Sequence, residues 1–115
     1  MPISFEDDAR PFASLEAELQ LACEATVDVC RTLSPPYYPA VWIGMVAKLG
    51  AAEAARRLVI SGEIQTGFER LVQAGRPELT IEWAILDMRW NPLFSEQHRE
   101  AARWRLHQAG VQPPR

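Results

Sequence analysis

The sequence predicts an all-α domain, a compact bundle of about six short to medium helices, on three observations. Apolar residues recur at spacings of three and four, no segment alternates long enough to be a strand, and proline or glycine closes each periodic run. A chain of 115 residues with 48% apolar and 23% charged residues is long enough for one buried core and too apolar for disorder. One domain is expected.

Residues 1–13 read as a polar, acidic arm carrying Phe5 and Phe12. The first helix is expected over 14–33, with Ser14 as N-cap and Glu16 and Glu18 in its first turn, where the helix dipole favours acids. Leu15, Leu19, Ala22, Thr26, Val29 and Leu33 form its stripe. The prolines at 35, 36 and 39 break the chain over 34–39, because proline lacks a backbone donor and pushes its predecessor to extended conformations. The rest of the domain, 40–110, is a helical core.

The second helix starts near Pro39, presents Val41, Trp42, Met45, Val46 and Leu49 as an apolar face, and stops at Gly50. The third runs over 51–60 with Ala54, Ala55, Leu58 and Val59 inward and Glu53, Arg56 and Arg57 toward solvent, ending at Ser61-Gly62. Thr66 and Glu69 match a capping box for a short fourth helix closed by Gly75. A fifth, central helix is expected from Glu78 to Trp90, with Leu79, Trp83, Leu86 and Trp90 on one stripe and Ile81, Ile85 and Met88 on another. Asn91-Pro92 ends it, and Leu93 and Phe94 turn inward. Ser95 caps the last helix, with Ala102, Leu106 and Ala109 inward and Gly110 as its stop; 111–115 is a tail.

From residue 38 to 110 the chain resembles an uncharacterised family of small bacterial helical proteins. The likeness rests on Tyr38-Pro39, Met45, Gly50, Arg57-Leu58, Gly67-Phe68, Gly75-Arg76, Leu79-Thr80-Ile81-Glu82, Leu93-Phe94, Ala102-Arg103 and Arg105-Leu106. It implies a helical fold and no activity. Pro77-Glu78 departs from the pattern, where a leucine and an acid are expected, and the first 34 residues fall outside it.

Several function classes are unfavoured. The acidic amino terminus has no signal-peptide pattern, and the apolar run 40–47 is far short of the roughly 20 residues that span a bilayer. Cys23 and Cys30 sit seven apart on one helix, about 10 Å along its axis and beyond disulfide reach, so free thiols and a reducing cytoplasm are expected. His98 and His107 face opposite sides of their helix and cannot share a metal from one face. With no phosphate loop, nucleophile elbow or ligand motif, no cofactor or metal is expected and the chain reads as non-enzymatic, an enzyme of unrecognised type being the second alternative.

A helix-turn-helix over helices three and four is the alternative, and the charges argue against it. The net charge is −3, and helix four offers only Arg70 beside Glu69, whereas binding to phosphates draws on several basic side chains together. Arg99 and Arg103, one turn apart on the last helix, share their region with Glu96 and Glu100.

The favoured reading is a small non-enzymatic accessory or regulatory protein-interaction module. Trp104 falls opposite the inward residues of its helix among Glu100 and His107, and tryptophan on a polar face is a residue type enriched in binding hot spots. These three are the partner-binding candidates, and the first-helix stripe is a candidate seam for self-association. Glu82 lies between apolar stripes, so burial demands a basic partner. Arg105 is the expected one and Arg76 the other candidate; their role is to hold two helices in register.

Overall fold

The computed structural model describes residues 12–61 and 66–113, which form an all-α bundle. Six α-helices follow in order: α1 Ala13–Cys30, α2 Ala40–Leu49, α3 Ala51–Ile60, α4 Thr66–Gln73, α5 Ile81–Leu86 and α6 Glu96–Gln108. Two 3-10 turns, Pro77–Leu79 and Met88–Leu93, flank α5. The described residues contain no strand. The expected arm up to residue 11, the turn 62–65, the last two tail residues and the Thr66 side chain of the expected capping box lie outside the described residues.

Helix α3 is the hub. Its buried face is Ala51, Ala52, Ala54, Ala55 and Val59, and these small side chains let α1, α5 and α6 pack around it. Leu19 and Cys23 of α1, Ile85 of α5 and Ala102 of α6 complete the core with Trp90, Leu93 and Phe94. Leu15, Leu19 and Ala22 of the stripe expected on the first helix therefore pack into the chain's own core. Ala51, whose backbone donor would otherwise be orphaned at the start of α3, donates to Gln20 Oε1 of α1 at 3.0 Å.

Four expectations about the elements need correction. Helix α1 has Phe12 at its N-cap without a side-chain bond, leaving Ser14 inside the helix. It also ends three residues early: Cys30 O accepts from Leu33 N and Tyr37 N, so the chain turns back before the prolines can enforce the break. Arg56 points to the body rather than to solvent, donating to Leu93 O at 2.9 Å. Ala109, expected inward, is exposed.

The largest departure is the fifth helix, which is not continuous over 78–90. Thr80 and Asp87 both adopt extended backbone angles. Thr80 Oγ1 accepts from Trp83 N at 3.2 Å, and Asp87 Oδ1 from Arg89 N at 2.9 Å. Short polar side chains that bond the backbone two or three residues on restart the helix instead of continuing it. The break rotates the second expected stripe apart: Ile85 is buried, while Met88 is 75% exposed.

The helix stops follow the expected chemistry. After α4, Gly75 N donates to Val72 O and Arg76 N to Leu71 O; after α6, Gly110 N donates to His107 O and Val111 N to Leu106 O. Both are Schellman closures, and both glycines hold the positive φ that this motif requires. Ser95 caps α6 as expected, with an unforeseen partner. Its Oγ accepts from His98 N, and His98 Nδ1 accepts from Ser95 N at 3.0 Å, so an imidazole closes a box that glutamate or glutamine usually completes.

The Glu82–Arg105 pair joins α5 to α6. The Arg105 guanidinium donates to Glu82 Oε2 at 2.8 Å, and the side chains are 3% and 2% exposed respectively. Arg105 also donates to Leu58 O and Ser61 Oγ, each at 3.2 Å, so it ties the end of α3 into the same knot. Burial raises the Glu82 carboxyl above its ordinary value, outweighing the bonds from the backbone and Arg105. Arg76 is not its partner; it pairs with Glu78 at 2.6 Å.

Two predictions follow from these contacts. Arg105→Met, which strands the Glu82 carboxyl in the core, lowers stability by about 3–5 kcal/mol in urea unfolding, and adding Glu82→Leu recovers more than half of the loss. Additive losses would show that the pair is not coupled.

Burial holds the His98 pKa below its ordinary value, helped by Arg56. Its Nδ1 must stay unprotonated to accept the Ser95 N–H. A folded pKa below the unfolded value of about 6.5 means that the unfolded chain takes up the proton first. The cap's stability is then fully present above about pH 6.5 and is lost as pH falls through the lower folded pKa, at a cost of roughly 1 kcal/mol. His98→Gln, which keeps the box without titrating, removes this part of the pH dependence of Tm.

Candidate functional site

Helix α2 has the sequence AVWIGMVAKL, with Lys48 its one charged residue. Such a composition predicts burial, yet no residue of α2 is buried and Val41 is 74% exposed. Val41 therefore leaves the inward face expected of it. The helix is pinned by the chain at both ends: Pro39 is buried at its start, and Gly50 turns directly into α3. Trp42 and Val46 reach the core cluster from one side. Ile43, Met45 and Leu49 are half-buried, while Ala40, Val41, Gly44, Ala47 and Lys48 are exposed.

A cavity opens on each side of α2. The first, about 270 Å³ and partly enclosed, lies among α1, α2, α4 and α5. Cys23, Thr26 and Cys30 of α1, Tyr37, Trp42, Phe68 of α4, and Trp83 and Trp90 contribute to its wall. The second, about 550 Å³ and wider, lies between α1 and α2; Gln20, Glu24, Asp28 and Arg31 form its polar side and Ile43, Val46 and Ala47 its apolar side.

The thiols and the phenol on the wall of the first cavity are uncharged. Burial pushes the Cys23 thiol up to about 12, with Glu24 adding to the effect, and burial also raises Cys30 and the Tyr37 phenol. All three are neutral at physiological pH. A thiol held protonated is a poor nucleophile, so these cysteines contribute packing rather than thiolate chemistry. Neither is in a disulfide.

The loop bearing Tyr37 is held in place. Tyr37 N donates to Cys30 O at 2.9 Å, and Arg70 of α4 donates to Pro35 O at 2.5 Å while facing the Tyr37 ring at 6.0 Å. Gly67 makes this approach possible: a Cβ there would collide with the Tyr37 hydroxyl. At the other end Arg89 stacks on Trp90, 4.2 Å from the ring centroid, and reaches Glu18 of α1 at 3.5 Å.

The three partner-binding candidates are all exposed on α6. Trp104 is 57% exposed, and Glu100 and His107, one turn to either side, share its face. This patch is distant from α2 in the chain and shares no cavity with it. The neighbouring bases are engaged: Glu96 accepts from Arg99 at 3.0 Å and from Arg103 at 2.5 Å. Two further bases, Arg56 and Arg57, both bind Glu53, at 2.8 and 2.9 Å.

Sequence reasoning missed the cavity around Tyr37, Trp42 and Trp83. These residues lie on separate segments, and the one local signal was the apolar run 40–47. Among the described residues no group of His, Cys, Asp and Glu is arranged to hold a metal, and no helix is long and apolar enough to cross a membrane. Comparison with family models, curated proteins and solved structures finds no significant match.

Trp104→Ala removes a ring that is more than half in solvent, so it should change the unfolding free energy by less than about 1 kcal/mol, as surface substitutions do. A loss near the 3–5 kcal/mol of core aromatic truncations would place the ring in the core.

Proposed function

We propose that this chain is a small non-enzymatic protein-interaction module, acting in a reducing cytoplasm as an accessory or regulatory partner, and that α2 is its principal contact helix. The observation that carries this reading is an almost uncharged apolar helix of ten residues with none of them buried. Covering an exposed apolar helix releases ordered water at roughly 25 cal/mol per Å², a gain that a lone chain forgoes. The acidic side of the neighbouring cleft, Glu24 and Asp28, would favour partners that carry a basic flank beside an apolar face. Trp104 with Glu100 and His107 is the secondary contact surface, since a single exposed tryptophan anchors less area than a whole helix.

DNA binding finds less support. Arg56, Arg57, Arg99 and Arg103 are engaged with carboxylates of the same chain, and Arg70 with a backbone carbonyl. Those bonds would have to be given up before phosphates could be neutralised.

The test is purification of the native protein with its partners from its source, followed by binding measurements on the purified pair. Val41→Arg, at an exposed position where it cannot disturb the core, should weaken the complex at least tenfold, about 1.4 kcal/mol. Where the partner is a second copy, sedimentation shows a dimer that the same substitution abolishes. An undiminished complex with Val41→Arg, together with loss on Trp104→Ala, would move the contact surface to α6.

A further inference from the structure

We propose that the cavity among α1, α2, α4 and α5 binds a small, flat, uncharged molecule of about two fused rings that accepts a hydrogen bond, with the Tyr37 hydroxyl as donor. This goes beyond the interaction reading and does not depend on it. Three observations carry it.

The first is size. The cavity holds about 270 Å³. A dry apolar cavity of roughly 150 Å³ accommodates one benzene ring, so this volume fits about two rings and is too small for a packed helix about 10 Å across. The second is the wall. Five aromatic rings, those of Tyr37, Trp42, Phe68, Trp83 and Trp90, contribute to it, and flat faces of this kind reward stacked or edge-on ring contacts.

The third is the state of its polar groups. Thr26 Oγ1 is spent on Ala22 O at 3.0 Å, and Thr80 Oγ1 donates to Pro77 O at 2.7 Å while accepting from Trp83 N. Glu82, which also borders the space, is taken by Arg105. The donors without a partner among the described residues are the Tyr37 phenol and the indole N–H groups of Trp42, Trp83 and Trp90, while the exposed Asp87 carboxylate, also on the lining, accepts from Arg89 N. An indole can only donate, and a phenol donates well, so a ligand that completes this set must offer an acceptor. Tyr37 is the donor whose position is fixed, by its loop bonds and by its close seat on Gly67. The ligand is uncharged because the charged groups on the lining are either paired or exposed to solvent: Arg89 meets Glu18, Glu78 meets Arg76, Glu82 meets Arg105, and Asp87 is exposed and accepts from Arg89 N. An unpaired charge would enter an apolar space without a counterion.

Quinoline and naphthalene form a matched pair of probes, alike in shape, with one ring nitrogen acceptor in quinoline and none in naphthalene. Titration calorimetry and tryptophan emission on the purified full chain at pH 7.5 should show one saturable quinoline site, at least tenfold tighter than naphthalene. Tyr37→Phe, which keeps the ring and removes the donor, should bring the two affinities within about threefold of each other. Ala22→Leu extends a half-buried wall residue into the space and should weaken both probes at least tenfold. If that variant fails to fold by circular dichroism, the probe pair and Tyr37→Phe decide alone. Three results would each overturn the proposal: no saturable quinoline binding up to about 1 mM, the weakest affinity usually counted as specific; equal affinity for the two probes in the unaltered chain; or a preference for quinoline that survives Tyr37→Phe. A dimer in sedimentation that quinoline dissociates would seat a second copy's side chain in the cavity and overturn it as well.

Discussion

The arrangement of this bundle depends on one buried ion pair. Glu82 sits on a helix of six residues, too short to be stable alone, and Arg105 on the helix beside it. Burying two charges costs several kcal/mol each unless geometry and further bonds compensate. Here Arg105 divides its donors among Glu82, Leu58 O and Ser61 Oγ, so a single guanidinium fixes α5, α6 and the end of α3 together. A hydrophobic pair could fill the same space, but without the directional bonds that set the register of three elements.

That directional control suits a core built largely from alanine. The buried face of α3 carries four alanines and one valine, which gives close approach but little shape to distinguish one rotation of a neighbouring helix from another. The polar ties supply what the small side chains do not. Gln20 fixes α1 against the start of α3, and Arg56 fixes α3 against Leu93 O. Both are long side chains crossing between elements, and both replace a backbone partner that would otherwise be missing.

The same economy leaves α2 apart. Its ends are constrained by Pro39 and Gly50, so its direction is imposed by the chain rather than chosen by packing. Trp42 and Val46 make the inward contacts, and Val41, Ile43 and Ala47 border the two cavities.

Much of the architecture is written locally and could be read from the residues in order. Pro35 and Pro36 keep the chain extended after the first helix has already closed at Cys30, and Pro39 stands at the N-cap of the next, because a missing donor and a fixed φ act within a few residues. Gly75 and Gly110 close their helices for an equally local reason. The Glu82–Arg105 pair was also legible, since helical phase placed a carboxylate between apolar stripes and burial then required a cation. What sequence could not decide were the outcomes that balance local preference against distant contacts. The hydrophobic spacing of 78–90 suited one helix, but the Thr80 and Asp87 caps divided it, because packing Trp90 and Leu93 into the core requires the chain to turn there. The apolar face of α2 promised burial, yet Trp42, Met45, Val46 and Leu49 stay half-buried and Val41 is exposed. The cavity beside it is bounded by Tyr37, Trp42, Phe68 and Trp83, and no spacing along the chain predicts that four rings from different segments leave a void between them. Local chemistry determined which elements form; only tertiary packing decided which of their faces stay open, because an open face depends on what every other element fails to cover.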